Sequence, residues 1–228
     1  MRRALCLCAI VLCLWSVTLQ KETAMTSAAV RCGVPENKWI LIEIDLKRLT
    51  VYEGDQVLKR YPIATGAWET PSPIGVFTIV GRFKTEMSGF GTRFLKLNVP
   101  YGLYGIHGTN KPGSIGQNAS HGCFRLRTQD AEELYDLVSN GTKVVIEGGA
   151  YGLLGDGLRT LKSGDRGSQV LEAQKRLQLH GFYTGAADGI YGANMSAAVL
   201  RARKAYGLNN SDMVDAALLD RLGILLFE

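Results

Sequence analysis

Between Gly105 and Arg125 the chain gathers two imidazoles, a thiol and a guanidinium, in the segments Gly105-Ile106-His107-Gly108-Thr109 and Ser120-His121-Gly122-Cys123-Phe124-Arg125. This is the inventory for attack by a cysteine thiolate on a carbonyl. A free cysteine is mostly protonated at neutral pH, and a nearby imidazole both draws off its proton and favours the thiolate by charge. Cys123 is the expected nucleophile.

Two residues compete for the role of base. His121 lies two residues from the thiol and, in an extended segment, emerges on the same side, whereas His107 reaches it from another strand. Spacing does not choose between them. A base also needs a partner that fixes its tautomer, and the turn after His107 offers the Gly108 carbonyl to the second ring nitrogen, which tilts the choice toward His107. Gly122 allows close backbone approach, so the amides of Gly122 and Cys123 are expected to face the oxygen on which charge develops. Arg125 either holds a substrate carboxylate bidentately or braces the loop. Tyr101, Tyr104 and the loop from Ser114 to Ala119 are expected to shape the entrance.

Each residue has a plainer reading when taken singly. Cys123 alone reads as a buried, inert thiol, His107 as a polar strand-end residue and Arg125 as a surface charge. Their joint occurrence argues against that reading. Zinc is the chemical rival, with His107, His121 and Cys123 as ligands. No fourth convincing cysteine or histidine completes a structural site, which leaves only a catalytic site with bound water. The assignment made here has no metal and no cofactor. His180, the third histidine, is expected to serve a helix end before Gly181 and takes no catalytic part.

The elements that must position these groups read as strands first. Trp39–Ile44, Arg48–Tyr52, Val57–Ala64 and Gly75–Val80 are rich in β-branched and aromatic residues, with turns at Asp45-Leu46-Lys47 and Glu53-Gly54-Asp55, predicting an antiparallel meander. Pro71 and Pro73 bracket Ser72 and predict a shaped, non-helical loop. Phe94–Val99 and Leu103–His107 are further strands, the latter ending at His107. Thr128–Val138 is an amphipathic helix with Thr128 as cap, apolar positions Ala131, Leu134, Leu137 and Val138, and Gly141 beyond its end. Lys143–Glu147 closes a mainly β domain of mixed sheets with one packed helix, spanning residues 38–147.

Gly148, Gly149, Gly152, Gly155 and Gly157 mark a linker over residues 148–158. Residues 159–228 then predict a small three-helix domain. Val170, Ala173 and Leu177 line one helix before Gly181; Ala198, Val199, Ala202 and Tyr206 a second before Gly207; Leu218, Leu219 and Leu222 a third before Gly223. Its small core is expected to make it the less stable domain.

The 228 residues, 46% of them hydrophobic, suffice for packed cores and exclude generic disorder. Residues 1–28 read as a signal peptide: Arg2 and Arg3 begin it, Ala4–Trp15 is uncharged and largely apolar, and Thr26-Ser27-Ala28 offers a cleavage site. An uncleaved anchor is the alternative, giving weak membrane attachment through residues 4–19, a run short for a bilayer span. On either reading the protein is expected outside the cytoplasm, secreted or at the wall; a buried N-terminal helix in a cytoplasmic protein is the remaining alternative. Cys6, Cys8 and Cys13 lie in that segment. Cys32 and Cys123 remain, and pairing between them is disfavoured because the setting of Cys123 reads as reactive. The full chain carries +5; residues 1–28 hold three basic and one acidic residue, so their removal leaves 23 basic against 20 acidic, or +3. A negatively charged polymer is allowed as partner but not demanded. The basic residues are scattered without a stripe, so no nucleic-acid partner is expected.

Taken together, His107-Gly108-Thr109 and Ser120-His121-Gly122-Cys123-Phe124-Arg125 resemble the signature of the L,D-transpeptidase (YkuD) family. The likeness extends to Thr70-Pro71-Ser72-Pro73-Ile74-Gly75-Val76-Phe77, which is similar to the family's Thr-Pro-x-Gly-x-Phe segment with Ile74 inserted, and covers roughly residues 38–147. The resemblance implies Cys123 as nucleophile and His107 as base, oriented by the Gly108 carbonyl. It places His121, Gly122 and Arg125 in the oxyanion and substrate-holding wall, to which Ser120 and Tyr104 belong. It also implies a reaction. The acyl donor would be a peptidoglycan tetrapeptide stem, cleaved between its third, L-configured centre and the terminal D-alanine, and the acceptor a side-chain amine of a neighbouring stem. Hydrolysis at the same cysteine, or wall binding without catalysis, are the other outcomes.

The tail resembles the peptidoglycan-binding domain 1 family in Leu161, Gly164-Asp165, Gly167, Val170, Gln174, Leu177, Gly181-Phe182-Tyr183-Thr184-Gly185, Asp188-Gly189 and Gly192, implying contact with glycan strands. It departs from that pattern at Ala173-Gln174, usually Leu-Gln, and at Ala202-Arg203, usually Phe-Gln.

Overall fold

The computed structural model describes residues 38–85, 89–149 and 159–224. The leader or anchor segment, Cys32 and nearly all of the expected linker lie outside the described residues. The described residues from Lys38 onward pack as one compact unit, in which the β-rich and helical parts touch.

Among the described residues the β-rich part holds ten strands: β1 (Lys38–Glu43), β2 (Arg48–Glu53), β3 (Gln56–Pro62), β4 (Thr65–Gly66), β5 (Gly75–Lys84), β6 (Arg93–Leu97), β7 (Gly105–Thr109), β8 (Asn118–Ser120), β9 (Phe124–Arg127) and β10 (Lys143–Glu147). Eight form one sheet in the order β3-β2-β1-β10-β5-β6-β7-β9, and β4 pairs with β8 in a small second one. The expected meander holds for β1 to β3. Beyond it the sheet is mixed: β1 runs parallel to β10 and β7 parallel to β9. Strand β10 therefore sits between β1 and β5, a long-range pairing that local patterning does not encode.

Alternation explains the layers. On β5, Gly75, Phe77, Ile79 and Gly81 are buried while Val76 and Val80 are exposed, so one face meets the core. The core joins Ile40, Ile42, Leu49, Val51, Ile106, Phe124, Leu126, Val144 and Ile146. At the edge, β3 is exposed except at Tyr61, and its Lys59 and Arg60 discourage pairing with another strand.

Helix α1 (Thr128–Leu137) packs on β6, β7 and β9. Thr128 is its first residue, not its cap: Arg127 occupies the cap position without a side-chain bond, and Thr128 Oγ1 donates to the Thr109 carbonyl instead. On β7, Gly108 faces this helix, where a Cβ would meet Ala131 and Thr128 in ordinary contact. That leaves the other face of β7, carrying Gly105, His107 and Thr109, for the site. All five residues of β7 are buried, and His107 stands in its middle rather than at its end.

The C-terminal part forms the three expected helices, α2 (Ser168–Leu179), α3 (Ala193–Ala205) and α4 (Ala216–Arg221). Val170, Ala173, Leu177, Ala198, Val199, Ala202, Leu218, Leu219 and Leu222 share one core. Leu171 points the other way and joins the core of the β-rich part. The Ala202-Arg203 departure has a structural account. Arg203 is 2% exposed and donates to the carbonyls of Asn209 and Met213, each at 3.0 Å, to Asp215 Oδ1 at 2.9 Å and to Asn209 Oδ1. A guanidinium replaces apolar bulk, and its donors are met, as burial of a charge requires. His180 caps α2 as expected and also bonds the Tyr206 hydroxyl through Nδ1 at 2.8 Å.

Candidate active site

Strands β7 and β9 bring the two motifs together. Their parallel register sets Ile106 against Phe124 and His107 against Arg125. Residues paired in register share a face, so His107 and Arg125 lie on one side of the sheet and Cys123 enters just ahead of that strand. The half-buried Cys123 thiol approaches the Leu103 carbonyl at 4.0 Å and is bonded by the backbone of Gly105. Gly105 precedes His107 by two residues, one same-face step of about 7 Å along the strand.

His107 is 4% exposed, framed by Phe90 at 4.9 Å between ring centroids and by Phe94 at 5.8 Å, the latter nearly coplanar at 18°. Its Nδ1 lies 2.5 Å from the Gly108 carbonyl oxygen. A carbonyl only accepts, so Nδ1 carries the hydrogen and the neutral ring presents Nε2 as a base. Burial lowers the imidazole below its ordinary value of 6.5, opposed by the Gly108 bond and reinforced by the Arg125 charge. Burial raises the thiol of Cys123 above its ordinary 9.0, opposed by the Gly105 backbone bond and by Arg125. Both shifts favour the neutral forms, thiol and free imidazole. Desolvation therefore works against the thiolate expected from the sequence.

The loop that carries Cys123 is tied internally. Ser120 Oγ donates to the Cys123 carbonyl at 2.5 Å and accepts from the Gly122 amide at 3.0 Å. In this arrangement the Gly122 amide, one of the two expected oxyanion donors, is taken up by Ser120 Oγ. Arg125 Nη1 donates to the Ala119 carbonyl at 3.0 Å, which favours the bracing role over the carboxylate clamp. His121 is exposed at the rim. It does not join His107 in a ligand set, and among the described residues no group of three His, Cys, Asp or Glu side chains is arranged to hold a metal ion.

Gly122 has φ +103°, and a Cβ there would stand 2.6 Å from Tyr104 Cε1. Only glycine fits that backbone under that ring. Tyr104 is half-buried; burial raises its hydroxyl above the ordinary value, with Cys123 adding to the effect and Arg166 opposing it. Tyr101 packs edge-on against Tyr104 at 5.7 Å, and burial pushes its own hydroxyl up to about 12.

Several residues that hold this loop were not singled out in the sequence. Ser72 Oγ accepts from the Gly66 amide at 2.8 Å and donates to the Gly122 carbonyl at 3.0 Å. Thr70 Oγ1 and the Ala67 amide both donate to the Ser120 carbonyl, at 3.0 and 2.9 Å. The Pro71-Ser72-Pro73 signal predicted a shaped loop; what that loop grips lies 50 residues away. Phe90 and Phe94 carried no signal beyond strand or loop propensity.

A mixed sheet with one packed helix, a tautomer-fixed imidazole on β7, a thiol just ahead of the adjacent parallel strand β9, and an appended three-helix bundle make a two-part architecture. Comparison with known proteins agrees. Residues 37–146 match the YkuD L,D-transpeptidase catalytic domain and residues 166–222 the "Putative peptidoglycan binding domain". The chain therefore has the architecture of a YkuD L,D-transpeptidase catalytic domain followed by a peptidoglycan-binding domain 1 module.

Over 107 residues it is 43% identical to "Putative L,D-transpeptidase YkuD" of Bacillus subtilis and to its Bacillus licheniformis counterpart, covering 47% of this chain and 64% of each relative. The chain thus spans less than two thirds of the length of these curated relatives. "Probable L,D-transpeptidase YbiS" of Escherichia coli is 52% identical over 42 residues, 18% of this chain and 14% of that protein. Among solved structures, an L,D-transpeptidase from Mycobacterium smegmatis is 25% identical, covers 49% of this chain and 58% of its own, and superposes with a TM-score of 0.44.

Proposed function

We propose that this chain is a cysteine-dependent L,D-transpeptidase that forms peptidoglycan peptide crosslinks through a thioester. One observation carries the reading: the half-buried Cys123 thiol is bonded by the backbone of Gly105 on β7, the strand that two residues on bears an imidazole whose Nδ1 is fixed by Gly108, leaving Nε2 as its basic nitrogen.

With the neutral forms of both groups favoured, general-base attack follows. As Cys123 Sγ adds to the carbonyl carbon of the stem's third residue, its proton passes to His107 Nε2. The carbonyl oxygen becomes an oxyanion, met by the Cys123 amide. The adduct collapses, the C–N bond to D-alanine breaks, and the departing amine takes the proton from His107. An acceptor amine then attacks the thioester, gives a proton to His107, and the sulfur leaves and is reprotonated. Arg125 and Ser120 keep the loop in place through these steps, and His121 and Tyr104 border the opening through which the stem arrives.

The C-terminal helices are the part that would meet glycan strands, and wall contact implies an extracytoplasmic site of action. Among the described residues no helix is long and apolar enough to cross a membrane. Incubation of the protein with disaccharide-tetrapeptides followed by mass spectrometry tests the proposal. Crosslinked dimers with free D-alanine support it, tripeptide alone indicates a hydrolase, and unchanged substrate with retained wall pull-down indicates a binder.

A further inference from the structure

We propose that the helical module completes the acyl-transfer site: Ser168, at the start of α2, is a positioning residue that holds Tyr101, and through it Tyr104, against the backbone that carries Cys123. The inference rests on the transpeptidase reading only for the substrate; the positioning itself is read from contacts.

Ser168 Oγ accepts from the Ile74 amide and shares a hydrogen bond with the Tyr101 hydroxyl, both at 2.8 Å. Each contact leads to Gly122. From Ile74 the chain runs back two residues to Ser72, whose hydroxyl bonds the Gly122 carbonyl. From Tyr101 the path is ring to ring, Tyr101 against Tyr104 and Tyr104 over Gly122.

The rest of the module is built to keep this contact. Gln174 is fully buried; its Nε2 donates to Asp188 Oδ1 at 2.9 Å and to the Ile190 carbonyl at 3.0 Å, and its Oε1 accepts from the Gly189 amide at 2.7 Å. The loop so pinned lies flush on Tyr101: Gly189 has φ +71°, and a Cβ there would stand 2.3 Å from Tyr101 Cδ1. Leu171 and Ala187 extend the apolar core of the sheet across the junction. The positive charge of Arg166 is felt at Tyr104.

The consequence concerns water. A thioester hydrolyses unless water is kept from it, and a tyrosine held over the nucleophile by a neighbouring module keeps that space closed until an amine acceptor enters. Loosening Ser168 frees Tyr104 and opens the site.

The test uses the full chain with Ser168→Ala, Tyr101→Phe and Ser168→Thr, the last retaining the hydroxyl. Two readouts are taken: the rate at which iodoacetamide alkylates Cys123, and the ratio of hydrolysed tripeptide to crosslinked dimer from disaccharide-tetrapeptides. Ser168→Ala and Tyr101→Phe are expected to raise both by about threefold or more, and Ser168→Thr to restore both. Wild-type values for both readouts in Ser168→Ala and Tyr101→Phe, with unchanged circular dichroism, overturn the proposal. Should Ser168→Ala fail to fold, Tyr101→Phe decides alone. Should wild type give no product, the transpeptidase reading falls, and the alkylation rates still decide this one.

Discussion

Ser72 Oγ donates to the carbonyl oxygen of Gly122 at 3.0 Å while accepting the Gly66 amide at 2.8 Å, so one buried hydroxyl joins the proline-flanked loop to the nucleophile's backbone. Replacing it with alanine leaves a buried donor and a buried acceptor unmet. Ser72→Ala is expected to cost about 2 kcal/mol in urea unfolding. It should also slow thioester formation about tenfold, because the Gly122–Cys123 backbone shifts.

Cys123→Ala should abolish the covalent adduct with tetrapeptide donor, seen by intact-protein mass spectrometry, and leave wall pull-down unchanged. Acylation persisting in that variant would move the nucleophile elsewhere.

The opposite shifts of His107 and Cys123 predict that two measurements rise with pH in different ranges. Burial lowers His107 from 6.5, so thioester formation, which needs neutral imidazole, should rise through an apparent pKa below that value and then plateau. Burial raises Cys123 from 9.0, so alkylation by iodoacetamide, which needs thiolate, should keep rising above that pH. Rapid alkylation at pH 6 would show a preformed thiolate–imidazolium pair and contradict both assignments.

Phe94 stacks on His107 at 5.8 Å and contributes to its desolvation. Phe94→Ala admits water to the imidazole and should raise its pKa toward 6.5, shifting the acid limb of thioester formation the same way. The histidine ring titration by NMR checks it directly, and an unmoved or lowered value would assign the shift to Arg125 instead.

In the helical module, Arg203 and Asp215 meet at 2.9 Å, with the guanidinium buried and the carboxylate 35% exposed. Arg203→Met keeps volume but strands the Asn209 and Met213 carbonyls, and should destabilise the protein by about 2–3 kcal/mol in urea unfolding. Burial raises the Asp215 carboxyl, but the Arg203 and Leu218 bonds outweigh it, so the net value lies below the ordinary 3.8. A depressed carboxyl stabilises fully above its unfolded value of about 3.9 and loses that contribution as pH falls through its folded value. The wild-type advantage over Arg203→Met should therefore shrink only in that acid range.

Much of the site was legible because its parts are local. Alternating apolar residues marked β1, β2 and β10, the helical spacing of Ala131 and Leu134 marked α1, and Cys123, His107 and Gly108 declared themselves by type and short spacing. One local reading failed where a tertiary contact competes: Thr128 gave its hydroxyl to Thr109 rather than capping its helix. The Gly122 amide bonds the hydroxyl of Ser120, two residues back.

From sequence alone came the types of the reacting groups, the three-helix tail and the strands that carry the motifs, since these depend on residue chemistry and on periodicities within a few residues. Only the tertiary structure decided the mixed strand order, the burial that lowers the His107 pKa and raises that of Cys123, the grip of Ser72 on Gly122 and the seat of Ser168 beside Tyr101. Each of these arises from desolvation or from contacts between segments up to 94 residues apart, and such terms have no signature in local spacing.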